Sequence, residues 1–152
     1  MSTTREFAPV RTKDKKRTTP TPARVLAAHA VEAALDKKAV DLVVLDMHEV
    51  SGVADYFVVC TGDSDLKLKA ICDAVEDRIK DTCNERPWHR EGYEHRQWIL
   101  LDYVDVVVHL FSPEKRAFYD LERLWGDAPI EHVPEDATSA TDVALLQESS
   151  TS

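Results

Sequence analysis

Apolar residues recur at two spacings along residues 21–128, and the spacing separates helices from strands. A period of three to four residues predicts amphipathic helices, whereas short β-branched runs predict strands. The pattern gives three helices and five strands in the order α-β-β-α-β-β-β-α. Because directly joined strands are usually antiparallel neighbours, we predict an α/β fold, a mixed β-sheet with flanking helices.

Three segments have the helical pattern: TPARVLAAHAVEAALDKK, DSDLKLKAICDAVEDRIKDTC and SPEKRAFYDLERLWG. Each begins with a side chain that can cap a helix: Thr21 in the first, Asp63 or Ser64 in the second and Ser112 in the third. The third helix also has an apolar stripe at helical spacing. That stripe consists of Ala117, Phe118, Leu121, Leu124 and Trp125.

The strand candidates are DLVVLDM, DYFVVCTG, a weaker one near RPWHREG, and the long run QWILLDYVDVVVHLF at residues 97–111. A single strand through 97–111 would put Asp102 and Asp105 on opposite faces. It would also exceed the usual strand length of about three to ten residues. We therefore predict a hairpin with Tyr103 and Val104 at its tip, although a tight turn favours glycine or asparagine there.

Charge divides the 152-residue chain into three parts. Residues 1–20 are basic and residues 129–152 are acidic, and both are poor in apolar side chains. We predict a disordered basic tail at 1–20, an α/β domain at 21–128 and an acidic, largely disordered tail at 129–152. The short VALL at 143–146 can dock on the domain.

The net charge of −9 excludes a general basic surface for nucleic acid and suits a basic protein partner. We predict neither sequence-specific nucleic-acid binding nor membrane insertion, since no apolar run reaches about 20 residues. Three cysteines without a C-x-x-C pair, and no apolar leader after Met1, indicate a reduced, cytoplasmic protein.

Several clusters of polar residues offer ligand types without a specific spacing. Residues 88–95 (WHREGYEH) and 46–49 (DMHE) match no zinc pattern, and 61–65 (TGDSD) lacks the lysine and glycines of a phosphate loop. Asp102 and Asp105 are better explained as the shoulders of a turn than as metal ligands. We predict no catalytic residue, no metal site and no cofactor.

Large aromatic residues accumulate around the predicted hairpin and the helix that follows it. Trp98, Tyr103, Tyr119 and Trp125 lie near two aspartates, which would suit a partner rich in arginine or lysine. The alternative is that Trp98 and Trp125 belong to the core. From the residues alone, the chain is an acidic α/β domain that binds another protein.

Several ordered sequence blocks resemble the ribosomal silencing factor family, also called iojap-like proteins, over about residues 24–126. The blocks are Leu45-Asp46, Asp55-Tyr56-Phe57-Val58, Gly62 with Ser64, Glu91-Gly92, Trp98 with Leu101-Asp102-Tyr103, Val108-His109, and Tyr119-x-Leu121-Glu122-x-Leu124-Trp125.

The resemblance implies a translation repressor rather than an enzyme. Members bind a basic protein of the large ribosomal subunit, L-fourteen, and sterically block joining of the small subunit. The family also suggests dimers and a nucleotidyltransferase-like sandwich. Carried over by position, the partner-binding residues are Glu91, Trp98, Asp102, Tyr103, His109 and Tyr119.

Two alternatives stay open from the sequence. Organelle relatives imply a large-subunit assembly factor, and the fold analogy implies a metal-dependent enzyme using Asp46, Asp102 and Asp105. The transferase signature is incomplete, because Asp63 separates Gly62 from Ser64. The chain also departs from the family at Val104, where glycine is usual.

Overall fold

Six strands form one mixed sheet in a computed structural model that describes residues 21–50, 52 and 54–147. The sheet order is β3-β4-β5-β2-β1-β6; β2 and β5 pair in parallel at the centre, and every other neighbouring pair is antiparallel. The mixed sheet and its flanking helices confirm the predicted α/β class, whereas a sixth strand and a divided third helix depart from the predicted element order. The strands are β1 (Val40–Asp46), β2 (Tyr56–Thr61), β3 (His89–Glu91), β4 (Trp98–Asp102), β5 (Val106–Phe111) and β6 (Ile130–His132).

Two long helices cover one face of the sheet. Helix α1 (Ala23–Asp36) starts one residue later than predicted, with Pro22 rather than Thr21 as its N-cap. Helix α2 (Asp65–Cys83) is capped by Ser64, whose Oγ accepts a hydrogen bond from the Lys67 backbone N–H at 3.1 Å. Their buried stripes and the sheet form the larger core, where each buried leucine, isoleucine or valine contributes about 1.5–3 kcal/mol.

The third helix differs from its prediction. It divides into α3 (Pro113–Tyr119) and α4 (Leu121–Leu124), because Asp120 adopts a left-handed conformation that ends α3. None of the residues Pro113–Tyr119, all described, is buried. Phe118 is 75% exposed and Leu124 is 67% exposed, so these two members of the apolar stripe do not pack in the protein's own core.

The segment after residue 128 corrects the predicted acidic tail. Strand β6 pairs with β1, and two short 3₁₀ helices follow at Ala140–Asp142 and Ala144–Leu146. Apolar side chains from this segment enter the larger core: Val133, Ala140, Val143 and Leu146. The docking expected for VALL therefore extends to the whole stretch from residue 129 to residue 147. The predicted disordered tail at 1–20, and residues 148–152, lie outside the residues that the structure describes.

Carboxylates hold the turns of this C-terminal segment against the domain. Glu131 accepts hydrogen bonds from the Ala144 and Leu145 backbone N–H groups at 3.0 and 2.9 Å. Glu32, on α1, accepts one from the Ala140 N–H at 2.8 Å. Apart from the VALL run, the apolar residues of this segment stand singly between polar ones, so no long apolar pattern signals that the segment is ordered.

The tip of the β4–β5 hairpin contains three residues, Tyr103–Asp105. Val104 has a φ of 78°, and the Asp105 N–H donates to the Tyr103 carbonyl at 3.0 Å, which together describe a γ-turn around Val104. The Asp102 carboxylate accepts from the Val104 N–H at 2.8 Å, which is the turn-shoulder role predicted for it. A β-branched residue is strained at positive φ by about 1–2 kcal/mol.

This strain predicts that glycine is more stabilising than alanine at position 104, which is the opposite of the order in a helix interior. Val104→Gly should be more stable than Val104→Ala by about 1 kcal/mol, since only glycine accepts the positive φ without strain. Urea unfolding of both variants measures the difference.

Ala28, in the middle of α1, is the matched control, because Ala28→Gly should destabilise the protein by about 0.5–1 kcal/mol. A Val104→Ala variant more stable than Val104→Gly would show that the tip relaxes to an ordinary conformation.

Candidate docking surface

Strand register places four of the six predicted partner-binding residues on one face of the sheet. Residues paired directly across neighbouring strands point to the same face. Leu100 pairs with both Glu91 and His109, Trp98 pairs with Phe111, and Asp102 pairs with Val107. This face opposes α1 and α2 and carries the smaller apolar core.

Aromatic rings join the end of this face to helix α3. The indole of Trp98 stacks on Phe111, with ring centroids 5.0 Å apart, and contacts Tyr119 at 4.5 Å. Tyr119 meets Phe118 edge to face at 4.9 Å. Trp125 contacts a different ring of the smaller core, that of Phe57, with ring centroids 6.0 Å apart. We call the exposed and half-buried members of this group the aromatic surface: Trp98, Phe118, Tyr119 and Trp125.

Arg116 fixes the helix that presents this surface. Its guanidinium donates to the buried Thr61 hydroxyl at 2.9 Å and forms an ion pair with Glu122, linking α3, α4 and the end of β2. Burial alone would raise the pKa of Glu122, but the hydrogen bonds from Arg116 and the backbone lower it overall. The exposed rings are therefore held in place although α3 buries none of its own side chains.

His109 lies beneath the aromatic surface rather than on it. The residue is 5% exposed, and its Nδ1 lies 3.2 Å from Nε1 of Trp98. Burial lowers the pKa of His109 to about 3, so the ring is neutral at physiological pH. Trp98, His109 and Tyr119 are thus the predicted site residues that the fold brings into direct proximity.

The remaining predicted residues have different positions. Glu91 is exposed at the sheet edge, where its carboxylate lies 2.7 Å from Nε2 of His89. Asp102 is 1% exposed and serves the hairpin tip. Tyr103 is 2% exposed and points into the larger core, where burial raises the pKa of its hydroxyl well above the ordinary value. The prediction that Tyr103 contacts a partner therefore does not match its position, since its side chain faces away from Trp98.

Gly92 brings the β3–β4 connection close to Trp98. Its φ is +80°, and an added Cβ would lie 1.9 Å from the Trp98 carbonyl oxygen. Any side chain here would displace the start of β4. Glycine is therefore required in the Glu91-Gly92 block, because only glycine leaves room for the backbone of Trp98.

The acidic residues of the enzyme alternative are not gathered into one site. Asp46, at the end of β1, accepts from the His48 backbone N–H at 3.0 Å and lies 2.6 Å from His48 Nδ1. Asp102 is engaged at the hairpin tip. Within residues 21–50, 52 and 54–147, no group of three or more histidine, cysteine or acidic side chains could hold a metal ion.

Sequence reasoning did not reveal that part of the apolar stripe of the third predicted helix is exposed. Phe118 and Leu124 have the helical spacing of a core stripe, and spacing does not reveal whether that stripe faces the chain's own core or a partner. For Tyr103 a usable signal existed. Alternation along β4 places Trp98, Leu100 and Asp102 on one face and Tyr103 on the other.

The fold and this surface define a small α/β protein with exposed aromatic and apolar side chains, a feature typical of macromolecular interaction sites. The family described as ribosomal silencing factor during starvation (RsfS) matches residues 20–151, and the chain belongs to this family. None of the helices in the described part of the chain is long and apolar enough to cross a membrane.

Individual relatives agree with this assignment. The chain is 44% identical over 101 residues to the ribosomal silencing factor RsfS of Bacillus subtilis, covering 66% of this chain and 85% of the relative. It is 34% identical over 109 residues to the chloroplastic protein Iojap of Zea mays, covering 69% and 46%. A crystal structure of a Chromobacterium violaceum protein matches with a TM-score of 0.67 and 31% identity, covering 78% of this chain and 98% of that one.

Proposed function

We propose that this protein is a non-enzymatic translation repressor of the cytoplasm that docks on the large ribosomal subunit and sterically blocks joining of the small one. Its direct partner is the basic subunit protein L-fourteen. The observation that carries the proposal is the exposed aromatic surface on a chain of the ribosomal silencing factor family.

The composition of the surface supports a protein partner. Phe118 and Tyr119 expose 75% and 39% of their surface, and the half-buried Trp98 contacts Tyr119. Aromatic residues anchored in this way are enriched among residues that dominate binding energy. Trp98 and Tyr119 serve as anchors, whereas Asp102 and Tyr103 support the hairpin behind them.

Charge supports a basic partner. The chain carries a net charge of −9, and the exposed Glu91 lies on the same sheet face as Trp98. Opposite charge accelerates encounter and orients the partner, while the aromatic anchors determine how long the complex lasts. Lys115 lies 5.9 Å from the ring centroids of Phe118 and Tyr119, so the surface also contains a cation beside its exposed rings.

The fold analogy with nucleotidyltransferases is part of the proposal as architecture only. A fold alone does not determine chemistry. The separation of Gly62 from Ser64 and the dispersed positions of Asp46 and Asp102 provide no support for phosphoryl or nucleotidyl transfer.

Sedimentation with purified subunits tests the proposal. The protein should co-migrate with large subunits and not with small subunits, and it should reduce the fraction of joined ribosomes when added before the small subunit. Binding should weaken as salt rises, because the charge pairs at the rim of the interface are screened.

A protein that stays at the top of the gradient at both low and physiological salt, and leaves joining unchanged, would contradict docking. A parallel binding assay with isolated L-fourteen tests the identity of the partner independently of the repressor activity. Docking on subunits without binding to L-fourteen would keep the repressor role and assign the contact to another component.

A further inference from the structure

His109 is a polar residue in a strand that is otherwise apolar and completely buried. Strand β5 reads VVVHLF, and all six residues are buried. The imidazole meets the Phe57 ring edge to face at 4.6 Å and lies parallel to Phe111 at 6.2 Å. A leucine or phenylalanine would fill such a position without a polar group to satisfy, so the choice of histidine has another reason.

The hydrogen bond to Trp98 supplies that reason. An indole Nε1–H only donates, so Nδ1 of His109 accepts, and the proton of the neutral ring must sit on Nε2. The low pKa of His109 keeps the Nδ1 lone pair available throughout the neutral range. Nε2 itself is buried, and no described residue accepts a hydrogen bond from it. The ring therefore satisfies Trp98 while one of its own groups stays unsatisfied.

We propose that His109 is a positioning residue, whose Nδ1 holds the indole of Trp98 in one orientation on the aromatic surface. It acts through Trp98 and does not touch the docking partner, since the ring is shielded from solvent. This inference rests on the proposed function, because the benefit of a fixed anchor arises on docking.

Three contacts fix the indole together. Phe111 stacks on it, Tyr119 lies beside it and His109 accepts from its N–H. Stacking restricts the tilt of the ring but permits it to slide and flip, whereas the hydrogen bond selects one of the two ring orientations. An anchor that is already ordered loses less rotamer freedom when a partner binds.

Two substitutions separate the acceptor from the packing. His109→Asn can place its amide oxygen near the position of Nδ1, but it loses much of the ring. His109→Phe keeps a ring of similar size and removes the acceptor. His109→Leu removes the acceptor with a smaller side chain and serves if the phenylalanine variant does not fold. Thermal unfolding establishes which variants are folded.

The indole N–H resonance of Trp98 reports the hydrogen bond without any partner. The chain contains three tryptophans, and Trp98→Phe assigns the resonance. We expect His109→Asn to retain the hydrogen-bonded shift and slow solvent exchange, and His109→Phe to lose both. Docking on purified large subunits should weaken about five-fold in His109→Phe, which corresponds to one neutral hydrogen bond, and less in His109→Asn.

The reverse order, with His109→Phe docking better than His109→Asn and an unchanged indole resonance, would show that His109 acts by packing and would overturn the inference. Failure of the unmodified protein to dock would instead contradict the proposed function. The resonance comparison would still decide whether His109 orients Trp98, so the two failures are distinguishable.

Discussion

Trp98→Ala should weaken docking on the large ribosomal subunit by at least about 2 kcal/mol, or roughly thirty-fold in Kd. The substitution removes the ring that joins Phe111, Tyr119 and His109, and it thereby removes the centre of the aromatic surface. Quantitative sedimentation or fluorescence titration against purified large subunits measures the loss.

Trp88→Ala is the matched control for this prediction. Trp88 is also a large exposed ring, at 42% exposure, but it precedes β3 and is not a member of the aromatic surface. Its replacement should leave the affinity within about two-fold of the unmodified protein. Equal losses in the two variants would mean that docking depends on general apolar contact rather than on this surface. Unfolding curves of both variants exclude loss of fold as the cause.

Removal of the last structured segment should produce the largest loss of stability. A chain ending at Ser139 lacks Ala140, Val143 and Leu146, which are all buried in the larger core against α1 and neighbouring strands. Deleting one buried leucine side chain alone destabilises a protein by about 2–5 kcal/mol. We expect the truncation to lower the free energy of unfolding by more than about 3 kcal/mol and the Tm by about 10 °C.

The reference for this truncation is a chain ending at Gln147, so that residues 148–152 are absent from both. Leu146→Ala in the longer chain should reproduce about 2 kcal/mol of the loss. Equal urea midpoints for the two truncated chains would show that residues 140–147 contribute little, and that the expected disordered tail describes them better than the folded segment does.

Local patterns predicted the parts of the fold that local forces determine. The periodicity of α1 and α2 and the caps of α2 and α3 follow from residues close in sequence, as in the Ser64 and Ser112 caps. The hairpin followed from strand length. Its three-residue tip did not, because Val104 adopts its positive φ under the constraint of strand pairing on both sides.

Distant contacts decided what the sequence could not show. Val133 and Leu146 belong to a mostly polar stretch, and they pack in a core built largely from α1, α2 and the earlier strands. The same limit applies to the site. Trp98 and Tyr119 could be expected to lie near each other, but the exposure of Phe118 and the burial of Tyr103 depend on which sheet face the helices cover.

The parallel pairing of β2 with β5 has a consequence for how the protein is made. β2 ends at Thr61 and its central partner begins only at Val106, with α2, β3 and β4 between them. Such non-local pairing requires a large loop to close before any sheet contact compensates for the lost chain entropy, which makes folding slow. On the ribosome the nascent chain must therefore wait for β5 to emerge before its central sheet can form. Helix α3 and Trp125, which complete the aromatic surface around Trp98 of β4, follow β5 and are among the last parts to be assembled.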